Sequence, residues 1–148
     1  MLNRRTALGI LAATVAMPAF AREPEVFTGE GPFAINGYDP VAYFTNEAAV
    51  EGSADHQSQH NGATFIFASA ENKAMFDADP TKYAPQYGGY CAYAVSKGYT
   101  ASTDPEAWSV HDGKLYLNYS KSVRALWATR RAHHIESANA NWPSVLDA

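Results

Sequence analysis

Cys91 is the one cysteine of the chain, and it sits in the stretch Tyr87-Gly88-Gly89-Tyr90-Cys91-Ala92-Tyr93. Two glycines let the backbone turn tightly there, and three tyrosines crowd the thiol. As a thiolate, Cys91 is a soft ligand for Cu(I) or another thiophilic ion. With its pKa lowered by a cation, for which Lys97 and the histidines are candidates, it is a nucleophile or redox thiol. Buried, it is a small hydrophobe. His56 and His60 lie four apart on a predicted strand and share a face, because strand side chains alternate with period two. Two imidazoles with Cys91 make a soft-to-borderline metal set suited to copper first and zinc second. Four strand residues span roughly 13 Å, so one histidine, His60 before His56, joins Cys91 more readily than both. Tyr90, Tyr93, Lys97, Tyr99 and Asp104 cluster at and just past the two glycines, where they are candidates to line a cleft for a small molecule or a partner protein.

Other chemistries lack their residues. One cysteine excludes an internal disulfide, a CxxC pair and an all-cysteine zinc site. No Gly-x-Ser-x-Gly or His-Glu-x-x-His run occurs, and Gly88-Gly89 is too short for a phosphate loop. An enzymatic role therefore has no positive motif, and a thiol-dependent redox enzyme would need Cys91 with a depressed pKa. Adjacent His133 and His134 point about 100° apart on a helix and are poor co-ligands. Behind Arg130 and Arg131 they read as a basic helix end that complements the dipole. His111, before Asp112-Gly113, is expected in solvent. Trp108, Trp127, Trp142 and most tyrosines read as core.

The elements that must position these residues follow from local signals. The chain has 148 residues, 47% hydrophobic and 13% aromatic, which fits one globular domain rather than disorder. Its net charge of −4 repels nucleic acid. Residues 1–21 read as an export signal: Arg4-Arg5, an apolar run from Ala7 to Met17, then Pro18-Ala19-Phe20-Ala21. The paired arginines resemble a twin-arginine signal, and a general secretory signal also fits. The apolar run is too short to span a bilayer. The expected destination is periplasmic or secreted, with no membrane attachment after signal removal. Residues 22–33 read as an extended arm and 34–148 as the domain. Asp39 and Pro40 start a short helix over Val41–Phe44. Asn61-Gly62 joins His56–His60 to Ala63–Ala68, and Asp112-Gly113 joins Trp108–His111 to Lys114–Asn118, as two hairpins. Ser69 caps a helix over Ala70–Ala78 with Ala74 and Phe76 inward, and Pro80 restarts a turn through Tyr83. Val123, Leu126 and Trp127 predict an amphipathic helix from Lys121, and a second one runs from Ile135 toward Trp142. The chain reads without internal repeats or linkers. The expected fold is α+β: a single small domain of antiparallel β-hairpins packed with short helices.

The segment from Gly62 through Phe67, Ser69, Phe76 and Pro80 to Tyr83 resembles the YHS domain, with its aromatic strand ending in Phe-x-Ser, its short helix, and its Pro-x-x-Tyr. The runs Ile35–Phe44, Tyr87–Val95, Gly113–Asn118 and Ala140–Pro143 resemble its exported subfamily. The resemblance implies a YHS-like fold and an association with metal handling. Relatives in metal transporters carry Phe-Cys-Ser and a second cysteine four residues on, where this chain has Ala68 and Asn72. The resulting expectation is an exported YHS-like domain that binds or handles copper through Cys91. The alternatives are a metal-free binding module with an aromatic cleft and a thiol-dependent redox enzyme.

Overall fold

The computed structural model of the chain describes residues 22–147; the expected signal at 1–21 and the cleavage point after Ala21 lie outside them. Asn61-Gly62 turns the chain with φ of 50° and 82°, and Asp112-Gly113 with 51° and 74°. Two successive left-handed residues match the twist of paired strands, which is why these dipeptides make tight hairpins. The first hairpin pairs β1 (Ser53–His60) with β2 (Ala63–Phe67), and the second pairs β3 (Asp104–His111) with β4 (Lys114–Asn118), both antiparallel. Around them run α1 (Ala42–Thr45), α2 (Ala70–Ala78), α3 (Pro80–Tyr83), α4 (Ala92–Ser96), α5 (Lys121–Thr129) and α6 (Arg131–Asn141). The fold is α+β, as expected.

The two hairpins are copies of one pattern. Ser53 faces Phe67 and His60 faces Ala63 in the first ladder; Asp104 faces Asn118 and His111 faces Lys114 in the second, each 51 residues further on. Both ladders are interrupted at the same place, between Ser53 and Gln57 and between Asp104 and Trp108. A serine then caps the next helix in each copy: Ser69 accepts from the Asn72 N–H and Ser120 from the Val123 N–H, both at 3.1 Å. Ahead of each hairpin lies a 3-10 turn with left-handed residues, at Ala34–Gly37 and Gln86–Gly89, followed by Tyr38-Asp39 or Tyr90-Cys91 and a short helix. The expectation of no internal repeat is therefore corrected. Its trace in the sequence is Ser58-x-His60-Asn61-Gly62-x-x-Phe65-Ile66-x-x-Ser69 against Ser109-x-His111-Asp112-Gly113-x-x-Tyr116-Leu117-x-x-Ser120.

Strand β4 joins the two cores. Its side chains alternate, so Leu115 and Leu117 pack with Phe65, Phe67 and Phe76 of the first repeat. Tyr116 faces the other way, into the cluster of Tyr87, Val95, Trp127, Ala138 and Leu146. Ala74 is exposed rather than inward, because Phe76 alone anchors α2. The helix expected from Ile135 starts at Arg131, so His133 and His134 occupy its first turn rather than a helix C-terminus. Arg130 is the residue that closes α5.

The arm at 22–33 docks across both repeats, with Val26 in the core of the first and Phe33 bridging to Thr64 of β2. Glu23 N–H donates to the Leu146 carbonyl at 2.8 Å and Phe27 N–H to the Gly88 carbonyl at 2.9 Å, while Val26 is buried. Gly88 has φ +63°, and any side chain there would strike the Glu25 carbonyl oxygen.

Candidate functional site

Cys91 occupies the position that Asp39 holds in the first repeat: each follows a left-handed turn and opens a short helix. The Asp39 carboxylate is fully buried and accepts four N–H bonds. Oδ1 takes Val41 and Ala42 backbone N–H at 2.8 and 3.3 Å; Oδ2 takes Ala68 N–H and Asn72 Nδ2, both at 2.8 Å. Cys91 Sγ accepts from Tyr119 N–H at 3.3 Å, and residue 119 is the counterpart of Ala68. The thiol also lies 3.5 Å from Asn118 Oδ1, which accepts the Tyr93 N–H at 3.0 Å. Burial pushes the Cys91 pKa up, and the N–H groups of Ala94, Tyr119 and Tyr93 offset this only in part. The thiol is 1% exposed and stays protonated at neutral pH. That opposes a thiolate nucleophile, which needs the deprotonated sulfur in the free protein.

The expected metal set of Cys91, His60 and His56 is not assembled, and this corrects the sequence reading. His56 and His60 do share the half-buried face of β1. The His60 ring, however, packs edge-on against Phe65 and Phe76, at 5.9 and 5.7 Å, in the first repeat. Cys91 is sealed under Asn118 and Tyr119 in the second. Among the described residues no group of three or more His, Cys, Asp and Glu converges on one point.

Of the five expected cleft residues, Tyr93 and Lys97 stay together, while Tyr90, Tyr99 and Asp104 have other surroundings. Tyr90 is buried and donates to the Pro24 carbonyl at 2.8 Å, holding the arm, and burial raises its pKa to about 12. Tyr93 lies under Lys97 Nζ at 5.4 Å. Tyr99 is 52% exposed, and Asp104 accepts from the Glu106 N–H beside it. Tyr93 instead meets His134, a residue that sequence reasoning assigned to a basic helix end. His134 Nδ1 is 3.3 Å from Ser96 Oγ, which itself donates to the Tyr93 carbonyl at 2.6 Å. With the hydroxyl proton so committed, His134 Nδ1–H is the donor and Nε2 is left unprotonated. Burial, then Lys97, His133 and Arg130, lower the His134 pKa and hold it neutral.

Convergence occurs elsewhere. A cavity of about 440 Å³ lies between the first hairpin, the turn at Tyr87 and α6, lined by His60, Phe65, Gln86, Tyr87, Asn139 and Trp142 among others. Tyr87 donates to Asn139 Oδ1 at 2.9 Å, fixing one wall. A cavity of about 400 Å³ sits at the tip of the second hairpin, with His111 in place of His60 and Tyr116 in place of Phe65, and it shares Gln86 and Asn139 with the first. Aromatic walls with a few amide and imidazole groups suit a flat molecule with a hydrogen-bonding edge. His60 was legible as a candidate, but as a metal ligand; Tyr87, Asn139 and Trp142 meet it only through the fold.

A family model described as YHS domain matches residues 41–87, from α1 through the first hairpin and α2 to Tyr87, and supports the YHS domain family. No curated protein and no solved structure matches the chain.

Proposed function

We propose that this YHS-family chain is an exported binding module that holds a small, flat, hydrogen-bonding ligand in the cavity of His60, Tyr87, Asn139 and Trp142. The observation that carries the reading is that both repeats build this cavity: Phe65 and His60 come from the first hairpin, Tyr87 and Asn139 from the second repeat. Concave sites with apolar walls and few oriented polar groups are where small ligands bind. Copper or zinc handling through Cys91, the association the family suggests, has the burial of the thiol under Asn118 and Tyr119 against it.

The test is a thermal-shift screen of aromatic heterocycles against the protein recovered from the periplasm, with W142A, H60A and C91A beside it. A ligand that binds only the native state stabilises it, by an amount that grows with the logarithm of its concentration over Kd. The expected result is stabilisation lost in W142A and H60A and kept in C91A. Elemental analysis of the same samples provides the opposing outcome. Near-stoichiometric copper or zinc in the wild type, lost in C91A, would replace this reading with the metal one.

A further inference from the structure

The two repeats differ in how they neutralise one cation. In the first, Lys73 Nζ pairs with Asp77 Oδ2 at 2.7 Å, and Ser58 Oγ donates to Asp77 Oδ1 at 2.6 Å. Fifty-one residues on, the same three places hold Arg124, Ala128 and Ser109. The cation and the hydroxyl are kept, Arg124 Nε donating to Ser109 Oγ at 3.0 Å, but the carboxylate has become a methyl group.

A cavity of about 460 Å³ opens at this place, lined by Tyr43, Glu47, Trp108, Ser109, Arg124 and Arg131. Arg131 is held with its guanidinium 5.2 Å from the Trp127 ring, and its buried Nε has no hydrogen-bond partner among the described residues. Among the described residues neither arginine forms an ion pair, and Glu47 pairs with neither of them. Lys121, Arg124, Arg130 and Arg131 follow one another with no acid before Glu136, in a chain whose net charge is −4. Tyr43 and Trp108, with rings 5.4 Å apart, form an apolar wall. Tyr43 spends its hydroxyl on the Pro105 carbonyl at 2.8 Å.

From this we infer a second ligand site, for a small organic carboxylate bearing a flat apolar group. Its oxyanion takes the place that the Asp77 carboxylate holds in the first repeat, between Arg124, Arg131 and Ser109. Its apolar part lies on Tyr43 and Trp108. Guanidinium forks match planar carboxylates in a way that an ammonium does not. The site shares no lining residue with the cavity of the proposed function, so either can fail without the other.

The probe is benzoate, titrated at constant ionic strength and followed by the Trp108 indole and Arg124 Nε–H cross-peaks in NMR spectra. Both should shift and saturate. Arg131→Gln should weaken binding about tenfold and Arg124→Gln about threefold, since charge-assisted bonds outweigh neutral ones. Glu47→Gln should tighten it by removing a repelling carboxylate. Val110 lines the same cavity and is 38% exposed, so Val110→Glu can fold and should abolish binding by supplying the missing acid internally. Shifts that never saturate, or that saturate equally in Val110→Glu, would overturn the site. Sulfate producing the same shifts as benzoate would overturn the carboxylate assignment.

Discussion

The first repeat closes its buried node with a carboxylate and four N–H donors, whereas the second closes the equivalent node with a thiol, one backbone N–H and an asparagine amide. The same contrast recurs beside the nodes. Tyr83 packs on Phe44 in the first repeat, at 5.2 Å and edge-on; His134 and Ser96 take those two places in the second. Asp77 neutralises Lys73 in the first repeat, and Ala128 leaves Arg124 without an acid in the second. One backbone scaffold thus carries two chemistries. The first copy is polar-satisfied at its node and beside it. The second holds the groups whose hydrogen-bonding capacity is incompletely used, among them Asn118 Nδ2, Trp127 Nε1 and Arg131 Nε.

Breaking the two nodes separately gives the largest expected difference. Asp39→Ala leaves several buried donors without an acceptor, and each orphaned group costs about 1–3 kcal/mol, so a loss of about 3–5 kcal/mol is expected in urea unfolding. A variant as stable as wild type would show that the node does not hold α1 to the end of β2. The next effect lies in the left-handed turns, where Asn36 and Gly88 are counterparts. Asn36 tolerates φ +51° and its side chain accepts the Glu30 N–H at 3.2 Å, while Gly88 lies under the arm. Gly88→Asn should cost about 2 kcal/mol or more and free the Phe27 amide to exchange, whereas Asn36→Gly should cost less than about 1 kcal/mol. Equal costs would mean that the arm does not constrain Gly88.

Cys91→Ala removes only weak sulfur bonds and little volume, and about 1–2 kcal/mol is expected, well short of Asp39→Ala. A loss matching Asp39→Ala would make the nodes energetically equivalent.

The smallest effects are in pH dependence. The Cys91 pKa is raised in the folded state, so its contribution is complete below the ordinary thiol value of 9.0 and is lost as pH rises from there through the folded value. The urea midpoint of wild type should therefore fall above pH 9 more than that of C91A. His134 is shifted the other way, below its ordinary 6.5, so the unfolded chain binds the proton more readily and stability is lost as pH drops under that value. Replacing it as the first repeat does, His134→Tyr, should flatten that acid limb. An unchanged acid limb would show that His134 titrates as it does in the unfolded chain.

The hairpins, the Ser69 cap and the proline-started turn were legible because each is decided within a few residues. Asn-Gly and Asp-Gly accept left-handed backbone, and a serine oxygen reaches the amide three residues on. The duplication was legible too, in the shared Ser-x-His-x-Gly pattern, but only once the two hairpins are laid against each other. His56 and His60 sharing a face followed from strand period.

Which residues meet was decided by the tertiary structure alone. Asp39 reaches Ala68 across 29 residues and Cys91 reaches Asn118 across 27, and no spacing rule announces a bond between segments that far apart. Thiol burial depends on Asn118 and Tyr119 closing over α4, and the cavities depend on α6 packing beside the turn at Tyr87. Sequence therefore determined the two hairpin-and-helix units, because their turns and caps are local. Their packing determined where Cys91, His60 and the unpaired arginines stand, because burial and electrostatic pairing are properties of neighbours in space.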